Sequence, residues 1–206
     1  MFEKLMSNFR RPEGRIGGFI CSMMNLGHAP MTKAVLPHLQ IKEGEKVLDI
    51  GCGGGLAMSL MAEMGATVQG LDYSPVSVAK SLKKNQRAVE DGRIQVCQGD
   101  VSAMEFPEQS FDLATAFETV YFWDDVSKCF SRIFKALKPG GRLAIAVEAW
   151  LENGGKVNCP KAFESIGLNL YWDEDLRKLL QKAGFSRVEI LKEGQKWLCA
   201  LAFKTP

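Results

Sequence analysis

VLDIGCGGGLAMSLMAEMGATVQGLDYS runs from Val47 to Ser74, and four of the five residues from Gly51 to Gly55 are glycine. The apolar run KVLDI before them predicts a short strand buried on both faces. LAMSLMAEM after them predicts a helix, with Gly65 placed to cap its C-terminus. ATVQGLD predicts the next strand. A glycine-rich loop between a strand and a helix turns tightly and lets a ligand approach the backbone closely. An aspartate stands on each side of it, at Asp49 and Asp72.

The same alternation continues outward. Pro75 opens a helix over PVSVAKSLKKNQRAVED, as proline does in a first turn. RIQVCQGD and FDLATAF predict the third and fourth strands. Val126, Cys129, Phe130, Ile133, Phe134 and Leu137 then fall on one helical face, with Asp124 or Asp125 to cap it and KPGG to end it. RLAIAVEA predicts a fifth strand. LENGGKVNCPKAFESIGLNLYW interrupts the pattern. Asp173 can cap DEDLRKLLQKA, with Gly184 at its end, and SRVEILK and WLCALAFK predict an antiparallel hairpin around EGQ. The sum is an α/β class, with a doubly wound, seven-stranded, mostly parallel sheet, helices on both faces and an antiparallel strand at the edge. One domain over 1–206 is expected, with a helical N-terminal appendage over 1–40 and the core over 45–206.

Composition narrows the classes. The 206 residues are 46% hydrophobic and 24% charged, ordinary for one globular domain. A formal net charge of +2 gives no electrostatic reason for a nucleic-acid partner. The densest basic run, Lys80 to Arg87, reads as a solvated helix face. Six cysteines, at 21, 52, 97, 129, 159 and 199, are scattered without a C-x-x-C pair or a histidine at metal-ligand spacing. They read as free thiols in a reducing, cytoplasmic compartment, with no metal. MFEKLMSNFRRPEGR has no apolar core for a signal peptide. The uncharged stretch from Ile16 to Thr32 is too short and too polar to span a bilayer, so no membrane partner is expected.

Two ligand classes compete for the loop. A dinucleotide needs G-x-G-x-x-G. Gly51 and Gly53 fit it, but Leu56 stands at the third glycine position. The acid-x-G-x-G-x-G pattern of S-adenosylmethionine sites is matched at every position by Asp49, Gly51, Gly53 and Gly55. That ligand carries an ammonium and a sulfonium, so an acid beside the loop is favourable; beside a pyrophosphate it is repulsive.

From about Lys46 onward the chain resembles the class I S-adenosylmethionine-dependent methyltransferases, in particular the small single-domain group that acts largely on small molecules. The resemblance implies that VLDIGCGGG cradles the methionine half, through Asp49, Gly51, Cys52, Gly53 and Gly55. It implies that Asp72 in GLDYS takes the ribose hydroxyls, with Tyr73 and Ser74 beside it. In QGDVSAMEF it implies that Asp100 accepts from the adenine amino group and the Val101 amide donates to the ring. FDLATAFETVYFW resembles the fourth strand with its catalytic-face loop, and LKPGGRLAIA the turn into the fifth. The implied product is S-adenosylhomocysteine.

On the acceptor side, in-line displacement at a sulfonium methyl needs a positioned nucleophile and excluded water. Glu118, Thr119, Tyr121 and Trp123 follow the fourth strand. Glu118 can touch the methionine moiety, act as a base or simply end the strand, and the aromatics can wall a pocket or pack the core. His28 in MNLGHAPMT is either a base or structural. Glu148 and Trp150 end the fifth strand. There is no N-P-P-Y run and no P-C pair, as DNA methylation would suggest, no catechol-type acidic pair, and no arsenite-type cysteine set. A small-molecule acceptor remains by elimination, for a monomer or homodimer. The segment from Ile16 to Leu39 is expected to form a lid that buries Phe19, Ile20, Met23, Met24, Leu26 and Met31. The competing readings are a non-catalytic S-adenosylmethionine-binding subunit and an NAD(P)-dependent oxidoreductase, with an RNA or protein methyltransferase disfavoured by the small charge excess.

Overall fold

A computed structural model describes residues 11–152, 156–159, 168–194 and 196–206. Residues 1–10 of the appendage, part of the interrupting stretch and Gln195 of the expected hairpin turn lie outside the described residues. Seven strands form one mostly parallel sheet in the order β3-β2-β1-β4-β5-β9-β8. The chain divides into two compact units between Asp100 and Val101.

In the first unit, helices α1 (Gly14–Gly27) and α2 (Ala29–Val35) and a 3-10 turn (Leu36–Leu39) form the helical appendage. Strands β1 (Lys46–Ile50), β2 (Thr67–Asp72) and β3 (Ile94–Gln98) pair in parallel, β1 with β2 and β2 with β3. Helix α3 (Leu56–Glu63) packs on β2, and Gly65 follows it at φ +93. Val47, Leu48, Met58, Met61 and Val68 are buried, as a strand covered on both faces requires. The helix expected from Pro75 to Asp91 is instead two, α4 (Pro75–Lys84) and α5 (Gln86–Glu90). Asn85 breaks it: its side chain turns inward and donates to the Ser81 and Gly55 carbonyls, both at 3.0 Å. Ser74 caps α4, accepting from the Ser77 amide at 3.2 Å.

The appendage differs from expectation on one face. Ile20 and Met31 are buried and Met24 is half-buried, but Phe19, Met23 and Leu26 are exposed. They lie off the face through which Cys21 and Ser22 of α1 meet α4.

In the second unit, β4 (Phe111–Phe117) pairs in parallel with β5 (Leu137–Val147). Asp125 caps α6 (Val126–Ala136), accepting from the Lys128 amide at 3.0 Å. At the interrupting stretch β6 (Trp150–Glu152) pairs antiparallel with β7 (Lys156–Asn158). Trp172 occupies the N-cap position of helix α7 (Asp173–Lys182) without a side-chain cap bond, while Asp173, one residue inside, accepts from the Glu174 amide and from Lys192, both at 2.9 Å. Strands β8 (Arg187–Glu193) and β9 (Trp197–Phe203) are antiparallel to each other, and β9 is antiparallel to β5. Among the described residues no helix is long and apolar enough to cross a membrane, and all six cysteines carry free thiols.

The apolar face of α6 is the anchor of this unit. Phe130 is fully buried and meets Trp123 edge-to-face at 5.8 Å. Phe130→Ala should therefore cost about 3–5 kcal/mol. Urea unfolding monitored by circular dichroism measures it; a loss below about 1 kcal/mol would show that the ring is not part of the core.

Candidate active site

The loop after β1 begins from backbone constraint. Gly51, Gly53 and Gly55 all have positive φ, at +70, +53 and +81. At Gly55 the need is absolute: a Cβ there would lie 2.4 Å from both Asn85 Nδ2 and Ser81 Oγ. At Gly53 a Cβ would meet nothing nearer than the Gly51 carbonyl at 4.0 Å, so the loop is open on that side. Gly54 is closed by α1, since a Cβ there would lie 2.1 Å from Asn25 Nδ2.

Four of the five loop amides point inward. Gly51 and Cys52 donate to the Leu71 carbonyl at 2.7 and 3.1 Å, and Gly55 donates to the Cys52 carbonyl at 2.9 Å. Gly53 donates to Asp72 Oδ2 at 2.9 Å, while Ser74 donates to Asp72 Oδ1 at 2.9 Å. Each Asp72 oxygen thus takes one amide and keeps further accepting capacity. Burial pushes the Asp72 carboxyl above the usual range, and the Ser74 and Gly53 amides and the Ser77 hydroxyl pull part of the way back. Asp49 is buried on β1. The Cys52 thiol is pushed well up, first by burial and then by the negative charges of Asp49 and Asp72. The loop is therefore an electronegative place. Tyr73 is half-buried, with the Arg11 guanidinium 5.4 Å from its ring centre, and Ser74 is buried and donates to the Pro12 carbonyl at 2.6 Å. Asp100 is exposed just beyond β3. His28 joins α1 to α2, and its carbonyl accepts from the Thr32 amide and hydroxyl, both at 2.9 Å.

In the second unit, Val101 is buried and Glu118 ends β4 at φ +57, a conformation a glutamate adopts only under constraint. Its carboxylate is held on both oxygens: Oε2 accepts from the Tyr121 hydroxyl, and Oε1 from the Glu148 amide. Tyr121 is fully enclosed, and burial, then the Glu118 charge, keeps its hydroxyl protonated well beyond the usual range. Trp123 packs on Phe130. Val120, Tyr121, Trp150 and Tyr171 border a cavity of about 10 Å³, room for roughly one water and no acceptor.

Comparison with known proteins fits this geometry. Residues 48–145 match the methyltransferase domain family model. The chain contains a class I methyltransferase domain. It is 36% identical over 112 residues to a sterol 24-C-methyltransferase of Aspergillus fumigatus, covering 54% of this chain and 29% of that protein. It is 31% identical over 168 residues to phosphoethanolamine N-methyltransferase 1 of Zea mays, covering 80% of this chain and 33% of that one. The chain thus spans about a third of the length of these two relatives. In fold it is similar to phosphoethanolamine N-methyltransferase 2 of Haemonchus contortus, solved with phosphomonomethylethanolamine and S-adenosylhomocysteine. The TM-score is 0.73 at 23% identity, over 86% of this chain and 53% of that one.

Within this methyltransferase domain the sequence reading missed the supports of the loop. Asn25 lies against Gly54, and Ser81 and Asn85 lie against Gly55. Asn85 lay inside the lysine-rich run read as a solvated face; asparagine is a poor interior helix residue, and that was the available signal. Tyr121→Phe removes the hydroxyl that Glu118 accepts from and should cost about 1–3 kcal/mol. Equilibrium denaturation tests it: unchanged stability would mean that the pair does not organise the end of β4.

Proposed function

We propose that this chain is an S-adenosylmethionine-dependent methyltransferase with a small-molecule acceptor. The observation that carries the reading is the direction of the loop amides. A pyrophosphate site needs them turned toward the ligand; here Gly51, Cys52, Gly53 and Gly55 spend theirs on the Leu71 carbonyl, Asp72 and the Cys52 carbonyl. What the loop offers instead is carboxylate, at Asp49 and Asp72, and that suits a cationic ligand. The open side of Gly53 leaves room for it.

When bound, the cofactor supplies a methyl group activated by a sulfonium. Asp49, Gly51, Cys52, Gly53 and Gly55 would line its methionine half, and the Asp72 lone pairs not used by backbone amides would take the ribose hydroxyls, beside Tyr73 and Ser74. Asp100 and the Val101 amide would meet the adenine. Glu118 carries a donor on each oxygen, which lowers its basicity, so we assign it to positioning the end of β4 together with Tyr121 rather than to proton removal. Catalysis then rests on orientation and exclusion of water, and His28 is the candidate left for moving a proton from a poorly acidic acceptor. Asn25 against Gly54 supports the reading of residues 16–39 as a lid over the loop. The names of the relatives, which describe enzymes of phosphoethanolamine and sterols, support a small-molecule acceptor.

Incubation with S-adenosylmethionine and a pooled metabolite extract should release S-adenosylhomocysteine; cofactor binding with no turnover on any fraction would favour the non-catalytic subunit. Asp72→Ala should weaken cofactor binding by about 1.5–3 kcal/mol, through loss of charged hydrogen bonds. Calorimetric titration of the folded variant reads this, and unchanged affinity removes Asp72 from the site. The raised pKa of Asp72 gives a sign for pH. Protonation removes the charge and part of the capacity with which Asp72 accepts from the ribose, so affinity should fall with falling pH, starting above the ordinary carboxylate range. Affinity flat down to that range would contradict the role.

A further inference from the structure

Helix α1 has two apolar faces where one suffices. Gly17, Gly18, Ile20 and Cys21 face inward and are buried. At 100° per residue, Ile16, Phe19, Met23 and Leu26 share an arc of roughly 80° on the far side. They are 60%, 67%, 58% and 78% exposed. Four large side chains in one continuous stripe form a patch that water-facing helices rarely keep without a partner.

Charge says which partner. Helices α1 and α4 pack together, and between them carry Arg15, Lys80, Lys83 and Lys84 with no acidic residue. The whole chain is +2, so the rest of it sums to −2 (+2 − 4). The positive excess is therefore concentrated on this helix pair. Lys80 reaches across to α1, where its ammonium donates to Ser22 Oγ. Ser22 is three residues from Phe19 and four from Leu26, so it adjoins both on the helix surface. An ammonium thus stands at the edge of the apolar stripe. Lys83 and Lys84 are exposed one turn further along α4, and Lys33 is exposed on α2.

We propose that this face is a docking surface for an anionic lipid bilayer. The stripe enters the boundary between headgroups and acyl chains, and the flanking lysines meet lipid phosphates, the arrangement of an interfacial amphipathic helix. A second copy of the chain is the weaker occupant, because it would set one all-basic helix pair against another. The stripe does not include Asn25, the α1 residue that meets the loop, and its proposed role does not depend on the reaction proposed above.

The test is co-sedimentation of the full chain with phosphatidylcholine vesicles, with and without phosphatidylglycerol. Partitioning should be at least about tenfold greater onto the anionic vesicles and should fall with added salt. Phe19→Ser/Leu26→Ser and, separately, Lys83→Glu/Lys84→Glu should each abolish it, while circular dichroism and thermal midpoint stay as in the parent. No binding to anionic vesicles, or binding that survives Phe19→Ser/Leu26→Ser, overturns the proposal. So does self-association without lipid that the same pair abolishes, which would assign the stripe to a second copy.

Discussion

The carboxylate of Asp72 ties three pieces of backbone together. It stands at the end of β2, takes the Gly53 amide from the loop after β1, and takes the Ser74 amide where α4 begins. Burying a carboxylate is costly, and its raised pKa records that cost. The two amides offset part of it. With Gly53 committed to Asp72, Gly51 and Cys52 to Leu71 and Gly55 to the Cys52 carbonyl, four of the five loop amides are turned away from a ligand. It presents negative charge and an open face at Gly53 instead.

Around that contact the remaining features follow as supports. Gly55 is bare because Ser81 and Asn85 occupy the space a side chain would need, and Asn85 leaves the helical path to reach the Gly55 carbonyl. Asn25 closes on Gly54, so the appendage, packed on α4, also meets the loop. In the second unit Glu118 has a comparable part. Its constrained backbone and doubly engaged carboxylate organise the end of β4 through Tyr121 and the Glu148 amide.

Much of this was legible in the sequence, for identifiable reasons. Strands covered on both faces read as apolar runs, so β1, β2, β4 and β5 announce themselves, and Gly65, Pro75 and Asp125 mark boundaries through turn and cap chemistry. The glycines of the loop were legible because few other residue types tolerate the positive φ that Gly51, Gly53 and Gly55 adopt. Less visible was what depends on tertiary partners. Asn85 breaks its helix for a bond to Gly55, thirty positions away in sequence. Asp173 sits one residue inside the helix rather than at its N-cap, and pairs with Lys192, nineteen positions away. The β6–β7 pair is three residues a side and has no periodicity to read. Phe19, Met23 and Leu26 were expected inside because apolar residues usually are; only the placement of α1 against α4 shows that its inward face was already filled.

Calorimetric titration of the unmodified chain with S-adenosylhomocysteine and, separately, with NADH and NADPH addresses the central claim most directly. The arrangement of Asp49, Asp72 and the inward-turned amides predicts saturable one-to-one binding of S-adenosylhomocysteine and no heat from either nicotinamide. Saturable binding of a nicotinamide dinucleotide, or a folded chain that ignores S-adenosylhomocysteine, would contradict it.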